Sequence, residues 1–302
     1  MSIDFRGRVV IVTGAGSGLG RAHALGFARL GAHVLVNDLG PREGSDAGHA
    51  VVEAIRAGGG SALAHGADVS SREQVEDMVA FATEAWGRVD VLVANAGILR
   101  DRSFAKMDME DFRRVIDVHL MGSVHCAKAV WAGMKARGYG RIVFTTSASG
   151  IYGNFGQANY GAAKAGLVGL MNVLHLEGEK YGIRVNAVAP SAATGMTRGL
   201  FPQEAIELLQ PEAVTPGVLY LASEQAPSRT VLCAGGGVFA RAVIAETEGV
   251  FIPPERLSAD AVAAHFAAIA DPSIQRDVRD AFDQSADYSR RVMEFLAEPQ
   301  SA

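Results

Sequence analysis

The sequence predicts an α/β protein built on a doubly wound parallel sheet, with helices on both faces and a C-terminal extension of a hairpin plus helices. Three observations carry that prediction. Short β-branched apolar runs alternate with Ala- and Leu-rich helical stretches. A glycine-rich turn joins the first run to the first helix. The stretches of unusual polar chemistry fall at the carboxyl ends of the runs, where such sheets hold their ligands.

The first run, Arg8-Val9-Val10-Ile11-Val12-Thr13, has no polar face and reads as a strand buried on both sides. It passes into Gly14-Ala15-Gly16-Ser17-Gly18-Leu19-Gly20 and a helix over residues 21–30, closed by Gly31. Glycines there permit a tight turn, close approach of a pyrophosphate and close packing of helix on sheet. Unpaired amides of Ser17, Gly18, Leu19 and Gly20 at the helix start suit a phosphate. The next strand, 32–37, ends at Asp38, where a carboxylate would accept hydrogen bonds from an adenine ribose and repel a 2′-phosphate. NAD is therefore favoured over NADP. Arg42 could still admit the phosphate, and an Asp after a strand is often a turn former only.

Residues 41–49 form a polar loop, and 50–57 a helix stopped by Gly58-Gly59-Gly60. A third strand over 61–67 delivers Asp68 and Val69 to the adenine pocket. Residues 71–86 read as an amphipathic helix capped by Ser70 or Ser71. A fourth strand, 89–94, ends in Asn95-Ala96-Gly97. The alternation is of the Rossmann type, and each motif sits at a strand's carboxyl end.

The chemistry concentrates between Ser147 and Lys164. A strand over 141–146 precedes this stretch and a helix from Ala158 to about Gly178 follows it. Tyr160 and Lys164 stand four apart, so they share one helix face, and Ser147 can lean over the same point. A free phenol, with a pKa of about 10, is a poor base at neutral pH. A neighbouring ammonium, or a positively charged nicotinamide, favours the phenolate. Tyr160 could then exchange a proton with a substrate hydroxyl while hydride leaves carbon, with Ser147 holding the oxygen. Tyr-x-x-x-Lys alone also arises by chance; its company gives it weight.

The chain has 302 residues and a net charge of −5, room for one large α/β domain and no reason to expect nucleic acid or an anionic membrane. Cys126 and Cys233 stand far apart in apolar surroundings and read as reduced, packed thiols. No apolar run spans a bilayer and no secretory signal stands at the N-terminus, so a cytoplasmic location is expected. The eight histidines show no ligand pairing, so no metal is expected. Trp86 and Trp131 read as helix core.

Taken together, Thr13-Gly14-x-x-x-Gly18-x-Gly20, Asp68, Asn95-Ala96-Gly97, Ser147, Tyr160-x-x-x-Lys164 and Asn186-Ala187-x-x-Pro190 resemble the short-chain dehydrogenase/reductase family. The resemblance covers about residues 5–235. The stretches 95–104 and 147–160 are similar to the dehydrogenase part of peroxisomal multifunctional enzyme type 2, which oxidises (3R)-hydroxyacyl-CoA to 3-ketoacyl-CoA with NAD. The resemblance implies an NAD(P)-dependent oxidoreductase acting on CH–OH groups, an acyl-CoA-like substrate, and a homodimer or homotetramer. It also implies cofactor contacts from Asn95, Ala96, Gly97, Tyr160, Lys164 and Pro190.

Three places depart from the family pattern. His119 stands where many members carry an Asn that supports a proton relay; an imidazole could pass a proton through water near neutral pH, or simply pack. Ser191 replaces the usual glycine after Pro190, and Thr194 is the choice for the carboxamide end of nicotinamide. Residues 195–212 would cover the substrate, with Met196, Leu200 and Phe201 as its apolar underside. Beyond a catalytic domain of residues 1–237, the 238–302 extension holds a hairpin and helices over 259–270 and 273–296. It is too short for a large core and is expected to pack on the same domain or a partner subunit. The final residues do not match the peroxisomal Ser-Lys-Leu signal, and a stand-alone dehydrogenase is expected. Steroids, polyols and acyl-carrier-protein thioesters compete as substrates. A non-catalytic NAD sensor would not need Ser147, Tyr160 and Lys164.

Overall fold

A computed structural model of the chain describes residues 2–39, 47–194 and 202–297. Arg42, Met196, Leu200 and Phe201 lie outside the described residues, as do 298–302. The chain divides into two compact units, Met1–Ala242 and Val243–Ala302.

The first unit contains the sheet. Strands β1 (Val9–Thr13), β2 (His33–Asn37), β3 (Ser61–His65), β4 (Val91–Ala94), β5 (Gly140–Thr145), β6 (Ile183–Pro190), β7 (Val231–Gly235) and β8 (Val238–Ala242) lie in the order β3-β2-β1-β4-β5-β6-β7-β8. All neighbours are parallel except β7 and β8. Helices α1 (Gly18–Arg29), α2 (Ala47–Ala57), α3 (Arg72–Trp86), α4 (Met109–Ile116), α5 (Gly122–Arg137), α6 (Ala148–Tyr152), α7 (Ala158–Gly178), α8 (Gln203–Ile206) and α9 (Thr215–Ala222) connect the strands.

Period-two alternation sends successive side chains of one strand to opposite layers. Val9 and Ile11 join the apolar layer built with α3, α5 and α7, whereas Val10 and Val12 join the one built with α1, α2 and α9. A strand with two dry faces must be apolar throughout, which is why β1 shows no polar side in the sequence. Strand order reverses between β1 and β4, which opens a crevice at their carboxyl ends.

Several boundaries differ from the expectation. Helix α1 starts at Gly18 rather than at residue 21, so the last glycines of the loop form its first turn. The seventh strand stops at Gly235 because Gly236 and Gly237, with φ of 56° and 84°, reverse the chain in two residues; β8 then pairs back on β7. In the second unit, β9 (Glu246–Thr247) pairs antiparallel with β10 (Gln275–Arg276), and α10 (Ala259–Ile269) is capped by Ser258. The last helix, α11 (Ala281–Ala297), begins eight residues later than 273. Residues 275–276 are taken by the ladder to β9, and Asp280 accepts the Asp283 N–H to open the helix.

Among the described residues no helix is long and apolar enough to cross a membrane, and no cluster of three or more His, Cys, Asp or Glu could hold a metal. Cys126 and Cys233 are free thiols. Trp86 and Trp131 are partly buried at the edge of the core.

Asp90, just before β4, is fully buried. It accepts the Val9 N–H at 3.0 Å and Arg88 Nε at 2.9 Å, with Arg8 at 3.7 Å. Asp90→Ala strands the Val9 N–H at the start of β1 and is expected to lower unfolding free energy by about 2–3 kcal/mol. Urea denaturation measures this, with a smaller loss expected for Asp90→Asn.

Candidate active site

The turn after β1 meets the turn after β4. Thr13 Oγ1 accepts the backbone N–H groups of Asn95 and Ala96 at 3.0 and 3.1 Å. The Asn95 carboxamide returns two bonds, to Thr13 O at 3.0 Å and Gly14 O at 3.2 Å. Gly14 has φ of 62°, and a Cβ there would stand 2.8 Å from Ala96 Cα. Gly20 is tighter, since its Cβ would lie 2.1 Å from Gly14 O. Ser17, the exposed N-cap of α1, makes no side-chain cap bond. The first-turn amides of the helix, at Gly18, Leu19 and Gly20, are left for a ligand. Asp38 Oδ2 accepts the Gly16 N–H at 2.8 Å, which fixes the carboxylate at the rim of the same turn. A cavity of about 300 Å³ opens there, lined by Gly18, Arg21, Ala193, Thr194, Gln210 and Pro211 among others.

Asp68 and Val69 are ordered by neighbouring helices. Asp68 accepts the Ser70 N–H and hydroxyl at 2.9 and 2.6 Å and faces Arg114 at 3.1 Å. Val69 is buried beneath them, close against Gly122. Pro190 ends β6, and the Ser191 N–H donates to Ala234 O at 2.8 Å, so the residue that departs from the family pattern is tied into β7.

From the β4 turn the contacts run on to the phenol. Gly97 lies against His119, where a Cβ would come within 2.3 Å of the ring carbon Cε1. His119 sits in a π-helical turn, Asp117–Met121, between α4 and α5. Its Nε2 faces both Ile98 O at 2.7 Å and the Ile98 N–H at 3.0 Å, a donor in one tautomer and an acceptor in the other. The imidazole meets the Tyr160 ring edge to face, centroids 5.1 Å apart. Lys164 Nζ is 5.4 Å from the centroid of the same ring and donates to Thr145 O at 2.5 Å. Ser147 stands at the N-cap of α6, and its hydroxyl acts on the phenol. Hydroxyl, phenol and ammonium therefore converge, and the glycine turn reaches them through Ala96, Gly97 and His119.

The electrostatics differ from the sequence expectation. Burial pushes the Lys164 ammonium down to about 7 and His119 down to about 3, with Lys164 adding to the latter. Burial also raises the Tyr160 phenol, the Ser147 hydroxyl lowers it, and the Asp101 carboxylate raises it. The protein alone thus does not acidify Tyr160, because desolvation outweighs the lowering by the Ser147 hydroxyl. His119 stays neutral there, so it does not change charge near pH 7 as an exposed imidazole would.

Sequence reasoning missed Thr13 as the brace of the two turns and Arg21 as a wall of the cavity. It also missed the π-helical turn, which has no residue signature.

The chain belongs to the short-chain dehydrogenase family, whose pattern matches residues 8–205. Members of this family bind NAD(P) and act on CH–OH groups, so the protein is an oxidoreductase. It is 47% identical over 274 residues to a protein of Mycobacterium tuberculosis named as a short-chain type dehydrogenase/reductase, covering 88% of this chain and 95% of that one. It is 52% identical over 227 residues to peroxisomal multifunctional enzyme type 2 of Mus musculus, covering 74% of this chain but 30% of the mouse protein. A solved 7α-hydroxysteroid dehydrogenase complexed with NADH and 7-oxo glycochenodeoxycholic acid superimposes with a TM-score of 0.71 at 30% identity, covering 78% of this chain and 95% of that one.

Between about pH 7 and 10.5 the unfolded chain keeps a proton on Lys164 that the folded chain has released. The unfolded state binds more protons, so stability climbs with pH across that window. Lys164→Met is expected to flatten this climb, measured by urea denaturation at pH 7 and pH 9.

Proposed function

We propose that the protein interconverts a (3R)-hydroxyacyl-CoA and a 3-ketoacyl-CoA with NAD, using Tyr160 as the general base. The observation that carries this reading is the convergence of Ser147, Tyr160 and Lys164 beside the β1 and β4 turns. The residues present fit the dinucleotide: an uncapped helix start, a glycine floor that a Cβ would obstruct, and a carboxylate held at the rim. The α1 amides would hold the pyrophosphate, Asp38 the adenine ribose, Asp68 and Val69 the adenine, and Asn95, Ala96, Gly97, Pro190 and Thr194 the nicotinamide end. When bound, the oxidised dinucleotide supplies a hydride acceptor and a positive charge.

Ser147 holds the substrate oxygen while Tyr160 removes the hydroxyl proton; in reduction the phenol returns it. Lys164, on the same helix face as Tyr160, holds its proton loosely. His119 packs its neutral ring on the phenol, and its buried Nδ1, without a hydrogen-bond partner among the described residues, is left for a relay partner. NAD is preferred because the Asp38 carboxylate is locked by Gly16 and repels a 2′-phosphate.

The acyl thioester rests on the likeness to the mouse enzyme and on exposed aromatics beside the site, Phe104, Tyr152 and Phe155, which suit an apolar chain. The likeness to the 7α-hydroxysteroid dehydrogenase favours a steroid as the second reading. Exposed Val173 and Leu176 on α7 suit a homodimer or homotetramer. Two free thiols support a cytoplasmic location.

A panel of (3R)- and (3S)-hydroxyacyl-CoA esters, steroids and polyols with NAD, read as NADH absorbance, tests the proposal. The (3R) thioesters are expected to turn over fastest; tight NAD binding with no turnover across the panel contradicts it. Tyr160→Phe is expected to lower kcat by at least about a hundredfold while calorimetry still detects NAD. Asp38→Ala is expected to shift the NAD to NADP preference by about tenfold or more towards NADP, measured as the ratio of kcat/KM values.

A further inference from the structure

The segment between β4 and α4 is fastened at both ends to the catalytic groups. At one end, both backbone polar groups of Ile98 face His119 Nε2. At the other, two carboxamides that flank the approach to Tyr160 grip it. Asn159, fully buried, donates from Nδ2 to Arg100 O at 3.0 Å and accepts the Tyr160 N–H on Oδ1 at 2.7 Å. Gln157 donates from Nε2 to Asp101 Oδ2 at 2.7 Å, and its Oε1 accepts the Ser149 hydroxyl at 2.7 Å. The Arg102 N–H donates to Gly156 O at 2.9 Å, so the two segments also meet through backbone.

We propose that Asp101 and Gln157 are positioning residues for the reaction: their carboxylate–carboxamide–hydroxyl chain holds the approach to Tyr160 in register with Ser147 and sets a negative charge against the phenol. The inference rests on Tyr160 being the base. Gln157 is suited to the task because one amide can donate to a carboxylate and accept from a hydroxyl at once. Ser149, its other partner, donates its backbone N–H to Ser147 Oγ at 3.2 Å, which carries the chain to the residue that holds the substrate. The charges facing the phenol are few. Lys164 comes from α7, neutral His119 from the π-helical turn and Asp101 from the strap. Next along the strap, Arg100 is paired to Asp111 of α4 at 3.4 Å, and Arg102 is exposed. The Asp101 charge therefore makes Tyr160 harder to ionise.

Two substitutions separate geometry from charge. Asp101→Asn keeps an oxygen to accept from Gln157 and removes the charge; Asp101→Ala removes both. Asp101→Ala and Gln157→Ala are expected to lower kcat about tenfold with KM within about threefold. Asp101→Asn is expected to recover most of that kcat and to move the ionisation of Tyr160 down by about half a pH unit at low salt, less at high salt. The ionisation is read twice: from the pH profile of kcat/KM, and from phenolate absorbance of the protein minus that of its Tyr160→Phe form. The absorbance reading needs no substrate, so it stands even if no alcohol on the panel is oxidised. An unshifted phenol in Asp101→Asn, or full kcat in both alanine variants, overturns the inference.

Discussion

Desolvation is the constraint on which this structure depends. Lys164 is only 3% exposed, and its ammonium donates to a backbone carbonyl, that of Thr145 at the end of β5. A charge buried on such terms is weakly kept, and the amine falls to about 7. Buried His119 and half-buried Tyr160 respond to the same loss of water, one lowered and one raised. All three groups are thus biased towards their neutral forms. A site in that condition responds strongly to any charge brought into it, because little water competes for the field.

The fold makes that dryness possible. Strand β5 and helix α7 are tied at the site by the Thr146 hydroxyl on Lys164 O at 2.7 Å as well as by the lysine itself. Helix α6 fits over them because Gly150 has no side chain; a Cβ there would stand 2.6 Å from that of Lys164. From the other side, the β1 and β4 turns close through Thr13 and Asn95, and Gly97 admits the imidazole against Tyr160. Each close approach places backbone where a side chain would otherwise stand, and together they link the phenol to the glycine turn through His119, Gly97 and Ala96.

Much of this is legible in the sequence. Strands buried on both faces advertise themselves by apolar runs, as in β1, and the Ala158–Gly178 helix falls where its spacing predicts. Tyr160 and Lys164 share a face because four residues make about one helical turn. What stays hidden depends on the third dimension. The π-helical turn around His119 has no composition of its own, and the start of α11 is set by a two-residue ladder to a distant segment. The electrostatic error has a single cause: charge neighbours can be read from spacing, whereas burial cannot. Spacing alone makes Lys164 a full cation beside the phenol, but packing around it takes much of that charge away at neutral pH.

On this account Tyr160 becomes acidic only when a positive charge joins it inside the dry pocket. The direct measurement is the phenolate absorbance of the protein, less that of Tyr160→Phe, titrated without ligand, with NAD and with NADH. The account predicts an ionisation that falls by at least about one pH unit with NAD and moves much less with NADH, since only the oxidised ring carries the charge. A phenol that titrates alike in all three states would contradict it.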